Sequence, residues 1–381
     1  MNSHLAAVCL LLLVVPALAR DVDVRSDAEL TRAMAGAAAG DVIRIAAGEY
    51  KGGLHLGKLR GTADMPITIQ AADRDRPPVI KGGSGLHLID PAYVHIRHII
   101  VEGSTGNGIN LDDGGDMDQS AVGVELTSIT VRGGDVKGNF DGIKLSGLRN
   151  FKLTDCTVEN WSDGGSGIDM VGCADGTITG CTLKHKGNTA TANGIQAKGG
   201  SRDVTISFCR FDHAGQRGVN LGGSTGPGYF RPALKDKDNV EATRITVKHG
   251  TFIGCQAPVA FVTSSDCVVE NCVLYRPGKW AMRILQEQST ERFLAAQGGR
   301  FAGNVIIWQT GDMTVPVNVG ANTKPQTFKF EGNWWYCVDR PENSRPKLPV
   351  TEQEGRYGEN PEHVDREPAA GDGKPLPAAE R

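Results

Sequence analysis

The chain has 381 residues, 39% of them apolar, with 41 basic and 44 acidic residues and a formal charge of −3. That balance excludes a general electrostatic attraction to nucleic acid, so any anion site must be local. Its 50 glycines are about 13% of the chain against a usual share of roughly 7%, and without a Gly-X-Y period they exclude collagen and imply many tight turns.

Residues 5–19, LAAVCLLLLVVPALA, are too short and too Pro-interrupted to span a membrane and end in Ala-Leu-Ala. They predict a signal peptide over 1–19, a secreted or periplasmic protein, and no membrane attachment after cleavage. Ser26 and Glu29 form a capping box that predicts a short helix over about 27–38, stopped by Gly40 and placed to cover the open end of whatever follows. The strand phrases DVIRIAAG and MPITIQAA come next.

From residue 96 one phrase recurs nine times: apolar, two residues, a small, polar or apolar residue, one residue, apolar. Its copies are Ile96/Ile99/Val101, Leu126/Ile129/Val131, Leu153/Cys156/Val158, Ile178/Cys181/Leu183, Ile206/Cys209/Phe211, Val247/Gly250/Phe252, Val269/Cys272/Leu274, Phe301/Asn304/Ile306 and Phe330/Asn333/Trp335. The middle position advances by between 22 and 41 residues, too irregularly for helical repeats but suitably for coils with turns of varying length. A second phrase follows most copies: GINL, GIKL, GIDM, GIQA, GVNL, PVAF, AMRI and PVNV. Each coil therefore holds at least two alternating strands between Gly, Asn, Asp and Ser turns, and such coils stack into a parallel β-helix. The fold class is all-β, a single solenoid over 20–341 with its N-terminal capping helix. Residues 342–381 are Pro-, Glu- and Gly-rich and read as a tail.

Removing Cys9 leaves eight cysteines. Cys156, Cys181 and Cys209 share one place in successive coils and should stack inward as free thiols, while Cys255, Cys267 and Cys337 lie off that column and leave room for one disulfide.

Alternation makes the second phrase a map of one outer face. With the apolar residues inward, Asn110, Lys144, Asp169, Gln196, Asn220, Ala260, Arg283 and Asn318 point out, and two residues further on so do Asp112, Ser146 and Lys198. Two long insertions flank this face, GGSTGPGYFRPALKDKDNVEA and QEQSTERFLAAQGG, and long loops on a regular solenoid wall a groove or bind something. The candidate groove lies over Lys144, Asp169, Gln196, Lys198, Arg217 and Asn220, with Tyr229 and Arg231 on its rim. Lys198 is either a solvated surface lysine or, with a cation nearby and partial burial, a base. Arg217 and Arg231 suit a carboxylate or sulfate, or tie down the insertion; Asp169 orients Lys144 or Lys198, or bridges rungs. The turn LDDGGDMD offers Asp112 and Asp113, with Asp116 and Asp118, as Ca²⁺ ligands or as a plain acidic turn.

Within residues 22–340, GDVIRIAAGEYKGG, GTADMPITIQAA and PPVIKGG resemble the opening of chondroitinase B and its alginate-lyase relatives, members of the pectate-lyase-like superfamily of secreted right-handed parallel β-helices. The resemblance implies β-elimination on an acidic polysaccharide, with a lysine base, an arginine one coil later, and Ca²⁺ or another cation neutralising the uronate. Lys198 in QAKGGS matches the lysine; at the arginine's place stands Gly222 in VNLGGS, so Arg217 or Arg231 must substitute. The other readings are a non-catalytic glycan-binding or structural β-helix and a hydrolase of the polygalacturonase type, which needs paired carboxylates and lacks here that family's Gly-His-Gly and Arg-Ile-Lys phrases. The expected partner is an acidic polysaccharide, bound by a monomer.

Overall fold

The computed structural model describes residues 19–117, 121–133, 137–186 and 193–361. Most of the expected signal peptide, Asp118 of the acidic turn, and the tail from 362 onward lie outside the described residues. Among the described residues the chain winds into coils of three short strands, stacked into three sheets of 16, 10 and 12 strands. Every named pairing between coils is parallel, as in Leu126↔Leu153, Val131↔Val158 and Lys144↔Asp169.

The ninefold phrase is one turn seen nine times. Its first apolar residue is the penultimate one of a strand in the 16-stranded sheet and its last sits on the 12-stranded sheet, so each copy touches two strands, and the second phrase supplies a third on the 10-stranded sheet. The residue before the phrase's middle position turns left-handed in every copy: His98, Ser128, Asp155, Gly180, Phe208, His249, Asn271, Gly303 and Gly332, all with φ between 51° and 68°. One left-handed residue between two extended ones turns the chain sharply, which fixes the spacing of the apolar residues on either side. Their side chains fill one continuous core running from Val24 to Cys337.

The middle position points inward and carries whatever fits the narrow corner. Cys156, Cys181 and Cys209 stack there, and all eight cysteines of this region are buried free thiols, so the disulfide allowed for among Cys255, Cys267 and Cys337 is not formed. Burial pushes the thiols of Cys173, Cys255, Cys267 and Cys272 up to about 12. Further along, the column turns polar and satisfies itself. Cys272 N–H donates to Asn304 Oδ1 at 3.0 Å, and Asn304 N–H donates to Asn333 Oδ1 at 2.9 Å. Asn333 Nδ2 donates to Glu352 Oε1 at 2.7 Å.

Both ends are closed. At the N-terminus Asp27–Ala35 forms the capping helix, with Leu30 and Met34 buried. It ends three residues earlier than its sequence suggests, because Gly36 caps it and the Asp41 carboxylate takes the Ala38 N–H. At the other end Arg356–Tyr357 pairs with Trp334 and Trp335, and Glu352 accepts from Trp335 Nε1 and Tyr357 Oη. Residues 342–361 thus lie on the last coil, and Trp335 is packed inside while Trp334 faces outward beneath Arg356. No helix among the described residues is long and apolar enough to cross a membrane.

Candidate functional site

The 10-stranded sheet carries the outer face read from the second phrase. Its register runs Asn110↔Lys144↔Asp169↔Gln196↔Asn220↔Ala260↔Arg283↔Asn318, one residue per rung. Alternation places these side chains outward because their neighbours Ile168, Met170, Ile195, Ala197, Val219 and Leu221 are buried in the core.

Asp169 is the centre. It is 1% exposed, one oxygen ion-paired with Lys144 and the other 3.3 Å from Lys198 Nζ. That second oxygen is buried and accepts no hydrogen bond from the described residues; Lys198 Nζ donates instead to Gln196 Oε1 at 3.1 Å. Lys144 also lies 3.3 Å from Asp141, a residue that sequence reasoning missed because it precedes the strand phrase instead of alternating within it. Burial pulls the Lys144 ammonium down, but the carboxylates of Asp169 and Asp141 outweigh it and hold the pKa above its ordinary value, so Lys144 stays charged. Burial first, then the charge of Asp169, pushes Asp141 up to about 6, against Lys144, the Ser166 N–H and Lys198.

One rung beyond Gln196, Asn220 is fully buried beneath Arg217. Arg217 Nη1 donates to Asn220 Oδ1 at 3.1 Å and Nη2 to Glu287 Oε1 at 2.7 Å, while its buried Nε has no partner. Lys198 and Arg217 therefore stand on adjacent rungs over a floor of Gln196 and Asn220.

The first insertion leaves the face instead of lining it. Arg231 makes a two-pronged ion pair with Asp113, with Nη2 2.8 Å from Oδ1, and this hydrogen bonding raises the guanidinium's pKa. Arg231 N–H bonds Gly199 O, so the insertion is strapped back across the turns of four earlier coils, at Gly199, Gly172, Gly147 and Asp113. The approach is close enough that a Cβ at Gly172 would sit 2.7 Å from the Arg231 side chain. Arg231, read as a candidate for a substrate carboxylate, is thus committed to Asp113 instead. Tyr229 stands at the edge of this strap, 66% exposed.

Glu241, also missed in the sequence, is fully buried and gathers both insertions. It accepts from Gly199 N–H, beside Lys198, from the Thr225 N–H and hydroxyl, and from Gln288 Nε2, at 2.6–2.7 Å. Its burial arises only when both loops close over it, which no local pattern encodes.

The residues expected to hold Ca²⁺ do not fit a cation site. Both Asp113 oxygens go to Arg231, and Asp112 Oδ2 is taken by His87 Nε2 at 2.5 Å and by Asn110. No group of three or more potential metal-ligating side chains stands together among the described residues.

Parallel rungs, three sheets and a left-handed turn at each corner define a parallel β-helix with one polar outer face. A family model for the right-handed beta helix region matches residues 79–290, more than half of the chain, and the protein belongs to that family. No curated protein matches the chain. Among solved structures it is similar to an alginate lyase from Paenibacillus sp. str. FPU-7, with 19% identity and a TM-score of 0.52 over 88% of this chain and 97% of that one. A mannuronic acid specific family 6 lyase from human gut microbiota has 13% identity and a TM-score of 0.61 over 88% and 78%. The A-module of a mannuronan C-5 epimerase from Azotobacter vinelandii has 14% identity and a TM-score of 0.50 over 88% and 92%. Against two structures of the alginate lyase AlyGC the chain spans less than half of the neighbour's length, 47% and 43%.

Proposed function

We propose that the protein is an exported, monomeric, polysaccharide-active β-helix that cleaves a uronate-containing chain by β-elimination, with Lys198 as base and Arg217 as the cation that meets the uronate carboxylate. One observation carries the reading: Lys198 and Arg217, at opposite ends of neighbouring strands in the register Asn193↔Arg217 and Ala197↔Leu221, reach toward each other over the paired neutral side chains Gln196 and Asn220, to which they donate, and are 21% and 13% exposed. The fold shared with lyases and an epimerase whose names specify uronate polymers adds support without deciding the chemistry. The apolar run at 5–19 supports export.

In this reaction the Lys198 amine removes the proton beside the carboxylate. The released electron pair forms a carbon–carbon double bond as the neighbouring bond to the glycosidic oxygen breaks, and the departing oxygen takes a proton from water. Charge developing on the carboxylate is met by Arg217. The ammonium formed on Lys198 has a ready acceptor in the second Asp169 oxygen, 3.3 Å away and otherwise unbonded. Lys144 is unsuited to the base's role because two carboxylates keep it charged. No step runs through Ca²⁺.

A hydrolytic reading has one observation in its favour. Asp141 and Asp169 flank Lys144 and give the paired carboxylates that the sequence did not reveal, one of them raised toward neutrality. Both are nearly buried and already bonded, which favours the lyase.

The test is ultraviolet absorbance with alginate, pectate, chondroitin, dermatan, hyaluronan and heparin-type glycans, with and without Ca²⁺. New unsaturated ends that vanish in Lys198→Ala, with its circular dichroism unchanged, are the expected result. New reducing ends without absorbance would transfer the assignment to hydrolysis; binding without cleavage would transfer it to a glycan-binding protein; retained cleavage by Lys198→Ala would remove that lysine from the reaction.

A further inference from the structure

The same face carries a cation that the reaction above leaves unused. Arg283 lies three rungs from Gln196 in the direction of the C-terminus, along Gln196↔Asn220↔Ala260↔Arg283, a distance of about 14 Å at the usual strand spacing. Its guanidinium is fixed in two ways. The Cζ atom stands 4.0 Å from the centre of the Trp280 ring, and Nε donates to Asn318 Oδ1 at 3.0 Å. A guanidinium held over a ring with its Nε bonded keeps its two Nη groups as a restrained fork, the arrangement that suits a carboxylate.

The protein does not supply that carboxylate. Among the described residues Arg283 has no ion pair, and Glu287, the acid nearest in charge, is bonded to Arg217. Lys279 adds a third cation, its Nζ 4.4 Å from the centre of the same Trp280 ring. Two cations on one ring, neither ion-paired among the described residues, leave a local surplus of positive charge in a protein whose total is −3. The strain shows on Arg283, whose pKa is lowered by burial and then by Arg217, with Glu287 acting against them. Arg283 is half-buried without an anion, and the part of its hydration it has given up is what an arriving anion would compensate.

We propose that Arg283, held by Trp280 and Asn318, is a second anion subsite on this face and takes the carboxylate of a uronate several sugars from the one that reacts. The inference rests on reading the Lys198 face as a saccharide site. It adds that the chain lies along the helix axis toward the C-terminal end, and that the polymer is acidic beyond its reacting sugar. A sulfate ester presents similar acceptor chemistry to the same fork, so the experiment must separate the two anions.

The probe is binding to a Lys198→Ala background, which silences cleavage, measured by calorimetry with oligouronates from di- to hexasaccharide, neutral oligosaccharides of equal length, and sulfated ones. Adding Arg283→Ala should weaken the long oligouronates by about 10- to 100-fold and leave the shortest unchanged, while Arg283→Lys should recover only part. An equal loss at all lengths, no loss for the long chains, loss confined to sulfated chains, or no binding of any acidic oligosaccharide to the parent would each overturn the assignment. Melting temperatures of the variants serve as the folding control. Cleavage by the unmutated protein is read separately. If it cleaves but Arg283→Ala binds like its parent, the subsite falls and the lyase stands; if the length-dependent loss appears but nothing is cleaved, the reverse holds.

Discussion

Asp141 shows how one side chain ties the site's charge to the fold's stability. Its folded-state pKa of about 6 lies above the ordinary 3.8, so the folded protein holds this proton more tightly than the unfolded chain does. A raised group of this kind contributes stability that is fully present below about pH 4 and is lost as the pH rises through about 6. The amount is on the order of 2–3 kcal/mol, since one pKa unit corresponds to about 1.4 kcal/mol. Asp141→Asn keeps an oxygen for the Ser166 N–H, which Asp141 Oδ1 accepts at 2.7 Å. Denaturant midpoints of this variant should therefore fall less than those of the parent between pH 4 and pH 6.5; identical profiles would show that Asp141 is not the titrating group. Asp41 works in the opposite direction and so does not mimic it: the hydrogen bond from Arg20 holds it down at about 2, so its contribution is lost only as the pH falls toward that value.

At the scale of elements, the first insertion behaves as a strap fastened at two places, the Arg231–Asp113 pair and Glu241. Asp113 is 2% exposed and Arg231 is nearly buried, so removing one partner leaves an uncompensated charge. Asp113→Ala should cost about 3 kcal/mol by that argument, and Asp113→Ala with Arg231→Ala should cost less than the sum of the two singles. The same variants should expose residues 224–240 to limited proteolysis while the coils stay intact; an insertion still resistant to protease would show that Glu241 alone holds it. The sequence made the outward row from Asn110 to Asn318 legible because alternation is local and each rung repeats it. It did not reveal the partner of Arg231, 118 residues away, because nothing in the repeat states which turn an insertion crosses. Nor did it show that Arg217 would meet Glu287, since both ends of that bond sit beside irregular loops. The disulfide failed for a related reason: residues off the Cys156 column still face inward at other corners, each in its own layer.

For the whole molecule, the continuous main core from Val24 to Cys337 and the two closed ends predict that the thiols are shut away together. In native buffer a thiol reagent should modify none of the eight cysteines from Cys156 to Cys337 within minutes, and all eight after denaturation, as read by mass spectrometry of the peptides. A fast-reacting cysteine in the native protein would locate a coil that opens on its own. Cooperative protection is expected because each coil is covered only by its neighbours and the terminal coils are covered by Asp27–Ala35 and by the Glu352 segment.

The strict one-residue-per-rung register has a metrical consequence. The outer face is a scale ruled at about 4.8 Å, and a bound polymer is a second scale with its own pitch, so the two work as a vernier. Where one sugar is aligned with Lys198, each further sugar drifts by the difference of the pitches, and only charges placed where the graduations coincide again can be met. A cation at every rung would be wasted on such a ligand; Lys198, Arg217 and Arg283, spaced unevenly, mark a face that discriminates among acidic polymers by the interval between their charges.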